Sequence, residues 1–122
     1  MADAQQRIDE LVKGSEVLLF MKGKASFPQC GFSGRAIQIL KACGVEPKSL
    51  KTVNVLEDAE IRAGIKDYSN WPTIPQLYVK GEFIGGSDIM MEMYESGELQ
   101  QVLTSTDSST ARSIGSAPDK LN

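Results

Sequence analysis

The chain has 122 residues, 41% of them hydrophobic, with 13 lysines and arginines against 16 acidic residues and a formal net charge of −3. That length predicts one compact domain, and the acidic balance argues against nucleic acid or an anionic membrane as the main partner. Histidine is absent, which excludes Cys-His and Ser-His-Asp nucleophilic sites, His-ligated zinc and Rieske-type ligation.

The first six residues, Met1 to Gln6, lack the basic and apolar regions of a secretory signal. Residues 3–14 read as a short amphipathic helix: Asp3 can cap it, Ile8, Leu11 and Val12 share a face, and Gly14 ends it. Residues 16–21 read as a strand whose continuous apolar run, Val17 to Met21, is that expected of a strand covered on both faces. The run is far too short to span a bilayer. Lys22 to Gln29 reads as a loop broken by Gly23 and Pro28. In 31–43, Ala36, Ile37, Leu40 and Cys43 recur at helical spacing, and Gly44 stops the pattern.

Lys51 to Val55 alternates like a strand, and Asp58 can cap a helix over 59–68 with Ile61, Ile65 and Tyr68 inward. Beyond Trp71-Pro72-Thr73-Ile74-Pro75, Leu77 to Val79 reads as a strand, Lys80-Gly81 as a turn, and Glu82 to Ile84 as its antiparallel return. A helix over about 88–96 follows, with Ile89, Met90, Met93 and Tyr94 toward the core. Gly97 breaks it, and 98–103 allow one or two more turns. From Thr104 the chain is dominated by Ser, Thr, Ala, Asp and Gly, so 1–103 is expected as the domain and 104–122 as a flexible polar tail.

The order is α-β-α-β-α-β-β-α. A right-handed crossover makes the first two strands parallel, and the hairpin adds antiparallel ones. The predicted class is α/β: a thioredoxin-like, four-stranded mixed sheet with helices on both faces.

Cys30 stands where the loop meets the second helix. Unpaired N–H groups and the positive end of the helix dipole favour a thiolate there. Cys30-Gly31-Phe32-Ser33 has the spacing of a C-x-x-C redox motif, but Ser33 occupies the second position and a hydroxyl cannot close an internal disulfide. Along one helix, Cys43 lies about 20 Å away, beyond the reach of a disulfide. It is expected as a small buried hydrophobe. Two cysteines without an export signal predict a reducing compartment, the cytoplasm.

Met21-Lys22-Gly23, Cys30-Gly31-Phe32-Ser33, Trp71 to Gln76 and Gly85-Gly86-Ser87-Asp88 occur in the order seen in monothiol glutaredoxins. Over roughly residues 5–103 the chain resembles their single-domain CGFS type of bacteria and organelles. The resemblance implies a glutathione site, with Cys30 as the reactive thiol. It implies contacts from Lys22, Phe32, Arg62, Thr73, Ile74, Pro75, Gly86, Ser87 and Asp88, and a lesser candidate in Lys66. It further implies a cis bond before Pro75, leaving the Ile74 peptide groups free for the ligand. Each position also has an ordinary role: Lys22 and Arg62 as solvated charges, Phe32 as packing, Ser87 and Asp88 as helix caps. Ser87 stands where many relatives have a second cysteine.

Two functions from different classes follow from the resemblance. In the first, Cys30 and glutathione from each of two subunits ligate a bridging 2Fe–2S cluster in a homodimer. The cluster would then pass to apo iron–sulfur proteins and serve iron homeostasis, with BolA-type proteins as further partners. In the second, the chain is a glutathione-dependent thiol–disulfide oxidoreductase.

Overall fold

The apolar run near the N-terminus becomes a central strand that separates two cores. The computed structural model describes residues 3–104. Helix α1 (Ala4–Lys13) is capped by Asp3, whose Oδ1 accepts the Gln6 N–H at 2.8 Å, and Gly14 ends it. Strand β1 (Val17–Met21) is buried at every residue. The stretch 22–29, expected as loop, contains a small antiparallel hairpin, β2 (Gly23–Lys24) against β3 (Phe27–Pro28). Asn54 supports it from a distant part of the chain, its Oδ1 accepting the Gly23 N–H at 2.9 Å.

Helix α2 (Gly31–Ala42) begins at Cys30 and ends at Cys43. Strand β4 (Leu50–Asn54) stops one residue earlier than its alternation suggested, because the Asn54 carboxamide accepts the Leu56 N–H and turns the chain into a short 3₁₀ segment, Val55–Glu57. Asp58 then caps α3 (Ala59–Ser69), accepting N–H groups of Glu60 and Ile61. Strands β5 (Gln76–Val79) and β6 (Glu82–Gly85) form the expected hairpin. Helices α4 (Ser87–Ser96) and α5 (Glu98–Thr104) complete the described chain.

The sheet order is β4-β1-β5-β6, with β1 parallel to β4 and antiparallel to β5. Alternation along β1 assigns its side chains to opposite faces. Val17, Leu19 and Met21 pack with Ala36, Ile37, Leu40, Met90 and Leu99 from α2, α4 and α5. Leu18 and Phe20 pack with Ile8, Val12, Ile61 and Ile65 from α1 and α3. This is the thioredoxin-like mixed sheet with helices on both faces.

Tyr94, expected in the core, is exposed; α4 buries only Ser87 and Met90, a narrower stripe than its spacing allowed. Thr104, expected to open the tail, ends α5 and donates its hydroxyl to the Gln100 carbonyl at 2.8 Å. The remainder of the expected tail, 105–122, lies outside the described residues. Among the described residues no helix is long and apolar enough to cross a membrane.

Candidate functional site

Strand β1 ends at Met21, and the chain must then turn sharply to start α2. Gly23 makes this possible: its φ is +94°, and a Cβ there would lie 2.5 Å from the Gln29 nitrogen. The Gln29 N–H donates to the Lys22 carbonyl at 2.9 Å and closes the loop. Cys30 follows as the N-cap residue of α2, half-buried and with extended backbone.

The neutral thiol makes no capping hydrogen bond. The amide N–H groups of the first turn nevertheless favour a thiolate: that of Ser33 contributes most, and that of Phe32 less. The Lys22 ammonium and the Ser33 hydroxyl add to the effect, partial burial opposes it, and the net result is a Cys30 pKa below the ordinary thiol value. At the far end of α2 burial pushes the Cys43 thiol up, so it stays protonated. Both cysteines are free.

Beside Cys30 lies a cavity of about 470 Å³, walled by three further segments. The first is the α3–β5 loop, from Trp71 to Pro75, whose Ile74–Pro75 bond is cis as expected. The second is the start of α4, with Gly86, Ser87, Asp88 and Ile89. The third is α3, which contributes Lys66. At Gly86 a Cβ would lie 3.2 Å from the Pro75 carbonyl oxygen and 3.4 Å from the Trp71 indole nitrogen, so glycine lets α4 start against the loop. The Trp71 ring packs on Phe83, centroids 5.7 Å apart.

Nine of the ten expected site residues line this cavity: Lys22, Cys30, Phe32, Thr73, Ile74, Pro75, Gly86, Ser87 and Asp88. The tenth, Arg62, is exposed on α3 one turn before Lys66, outside the wall. Lys66, the lesser candidate, lies in it. Trp71, Pro72 and Ile89 also line the cavity without having been expected as contacts. Their adjacency to Thr73 and Asp88 was the available signal, but their apolar character reads as packing.

The groove therefore joins an activated thiol to two ammonium groups, one carboxylate and a helix start. Such a surface can receive an extended zwitterion presenting a thiol or disulfide to Cys30.

A family model described as glutaredoxin matches residues 17–84. The chain is 57% identical over 101 residues to an uncharacterized monothiol glutaredoxin, ycf64-like, of Synechocystis sp., covering 83% of this chain and 92% of that one. It is 50% identical over 101 residues to the mitochondrial monothiol glutaredoxin-5 of Saccharomyces cerevisiae, covering 83% and 67%. Among solved structures it is similar to a buckwheat glutaredoxin–glutathione complex, with a TM-score of 0.71, 25% identity and coverage of 83% and 87%.

These relatives overturn the cytoplasmic location expected above. Proteins named mitochondrial or chloroplastic recur among sequences about half identical to this chain. A polar N-terminus and few cysteines speak only to secretion and oxidising conditions, and organelle interiors are compatible with both features.

Proposed function

This chain belongs to the monothiol branch of the glutaredoxin family, and on that footing we propose that it binds glutathione beside Cys30 and carries a 2Fe–2S cluster between two subunits for delivery to apo iron–sulfur proteins. The supporting observation is one activated thiol, with no second thiol near it, in a groove of matching charge.

Glutathione carries two carboxylates, one ammonium and a central cysteinyl unit. In this reading Lys22 and Lys66 face carboxylate, with Arg62 on the same face of α3 reaching over from outside the wall. The start of α4 at Gly86 and Ser87 takes the other carboxylate, and Asp88 takes the ammonium. Thr73, Ile74 and Pro75 flank the cysteinyl backbone, and Phe32 covers the sulfur.

A 2Fe–2S cluster commonly takes four thiolates. Among the described residues no group of three or more His, Cys, Asp or Glu could hold a metal ion. Cys30 therefore fits such a cargo only as one ligand of four. One glutathione and a second copy of the chain complete the set, giving a homodimer. A BolA-type protein taking the place of one copy is part of the same reading.

The lowered Cys30 pKa also favours a second reading, protein deglutathionylation. The Cys30 thiolate attacks the glutathione sulfur of a mixed disulfide and releases the protein thiolate. A free glutathione thiolate then attacks Cys30–S–S–glutathione, restoring Cys30 and leaving glutathione disulfide.

Anaerobic incubation with iron, sulfide and glutathione separates the two. The carrier reading expects a visible chromophore that needs glutathione, appears with a dimer and is lost in Cys30→Ser. A colourless monomer that rapidly turns over a glutathionylated substrate would sink it in favour of the second.

A further inference from the structure

Gln76, the first residue of β5, has no solvent exposure. Its Nε2 donates to the carbonyls of both Trp71 and Thr73, each at 3.1 Å. Its Oε1 accepts the Tyr78 hydroxyl at 3.5 Å. The Trp71 N–H is held as well, by the Ser69 hydroxyl and the Lys66 carbonyl, both at 3.1 Å. One buried carboxamide thus braces the loop that forms the longest stretch of the groove wall.

The brace fixes a direction as well as a position. A trans peptide is a rigid plane whose C=O and N–H point opposite ways. The Thr73–Ile74 bond is trans, the cis bond lying one residue later. Pinning the Thr73 carbonyl inward on Gln76 therefore sends the Ile74 N–H outward. Ile74 lines the groove, and among the described residues its N–H and carbonyl meet no protein hydrogen-bond partner.

We propose that Gln76 is a positioning residue that aims the Ile74 N–H at the cysteinyl backbone of bound glutathione. The inference rests on the glutathione reading above. Gln76 touches no ligand; it acts through the Thr73–Ile74 peptide. Without its N–H groups, the Trp71 and Thr73 carbonyls lack an internal donor and the loop rotates to hydrate them, turning the Ile74 N–H off line.

Gln76→Met keeps the side-chain length and removes the donors. Wild type and variant are equilibrated as Cys30 mixed disulfides with glutathione and with β-mercaptoethanol, which has no peptide groups. The expected result is a loss of about fivefold in the preference for glutathione over β-mercaptoethanol. The pH profile of Cys30 alkylation stays in place, because the groups that lower its pKa lie on α2 and at Lys22. Equal weakening of both disulfides, or an unchanged preference, overturns the proposal. A second readout needs no variant: in wild type saturated with glutathione, the Ile74 amide proton resonance moves downfield, and an unmoved resonance overturns the proposal. If wild type itself shows no preference for glutathione, the glutathione reading fails and the inference falls with it, an outcome distinct from a preference that Gln76→Met leaves intact.

Discussion

The Ser33 hydroxyl accepts the Lys22 N–H at 3.0 Å, tying the end of β1 to the first turn of α2. Ser33 is fully buried, so the residue standing where a second thiol would be is part of the frame that holds Cys30. Ser33→Ala leaves the Lys22 N–H without its acceptor and is expected to cost about 1–2 kcal/mol of stability, measured by chemical denaturation. The Cys30 pKa should rise only slightly, because the larger contribution comes from the Ser33 backbone N–H, which alanine keeps. A large rise in a pH series of thiol alkylation would contradict this division.

Lys22 acts on the same sulfur through charge. Its ammonium is among the groups that lower the Cys30 pKa. Lys22→Gln should move the alkylation profile to higher pH and weaken glutathione binding, each by a margin that shrinks as salt rises through the physiological range. A salt-independent loss would mean that Lys22 works by packing alone.

Gly23→Ala is expected to be the most damaging single methyl near the site. The new Cβ would lie 2.5 Å from the Gln29 nitrogen on a residue whose φ is +94°. Backbone strain and the clash together should cost about 3 kcal/mol or more. Thermal unfolding measures the loss, and slowed Cys30 alkylation in the folded variant would report the displaced loop. A wild-type melting temperature would refute the assignment.

Alkaline pH should find a weak point where α3 meets α1. Tyr68 donates its hydroxyl to Asp9 at 2.6 Å, and burial followed by that bond pushes its pKa up to about 12. The unfolded chain loses this proton near pH 10, so it binds fewer protons than the folded chain above that value. Stability from this group is therefore complete below about pH 10 and falls as pH rises toward the folded value. Tyr68→Phe should flatten the alkaline limb of a stability-against-pH curve. The sign reverses for Asp9, whose pKa is lowered chiefly by the Tyr68 bond: its contribution is present above the ordinary carboxylate range and lost on acidification. The same variant should flatten that limb too.

Much of this molecule is legible in its residues. The apolar run at 17–21 and the caps Asp3 and Asp58 act as their chemistry requires. Cys30 is legible for the same reason, since helix-start chemistry is local. Pairings between distant segments are not. The β2–β3 hairpin depends on Asn54, 31 residues from Gly23, and nothing in the intervening sequence announces that bond. Gln76 is only the last residue of the Trp71–Gln76 motif until the loop conformation brings two carbonyls to it. Lys66 lines the groove and Arg62 does not because only one turn of α3 reaches it, and how far along its axis a helix meets a groove is not written in a list of cations.

Cys30 occupies the place where most helices put a serine, threonine or aspartate to hold their first N–H groups, and its neutral thiol leaves them unclaimed. Ionisation supplies the missing acceptor, so losing a proton and completing the helix are one event. A mixed disulfide on the sulfur removes the negative charge and weakens that acceptor again. The first turn of α2 should thus loosen when Cys30 is held in a mixed disulfide and tighten when its thiolate is released, a mechanical record of the thiol's state that amide exchange at Phe32 and Ser33 reads.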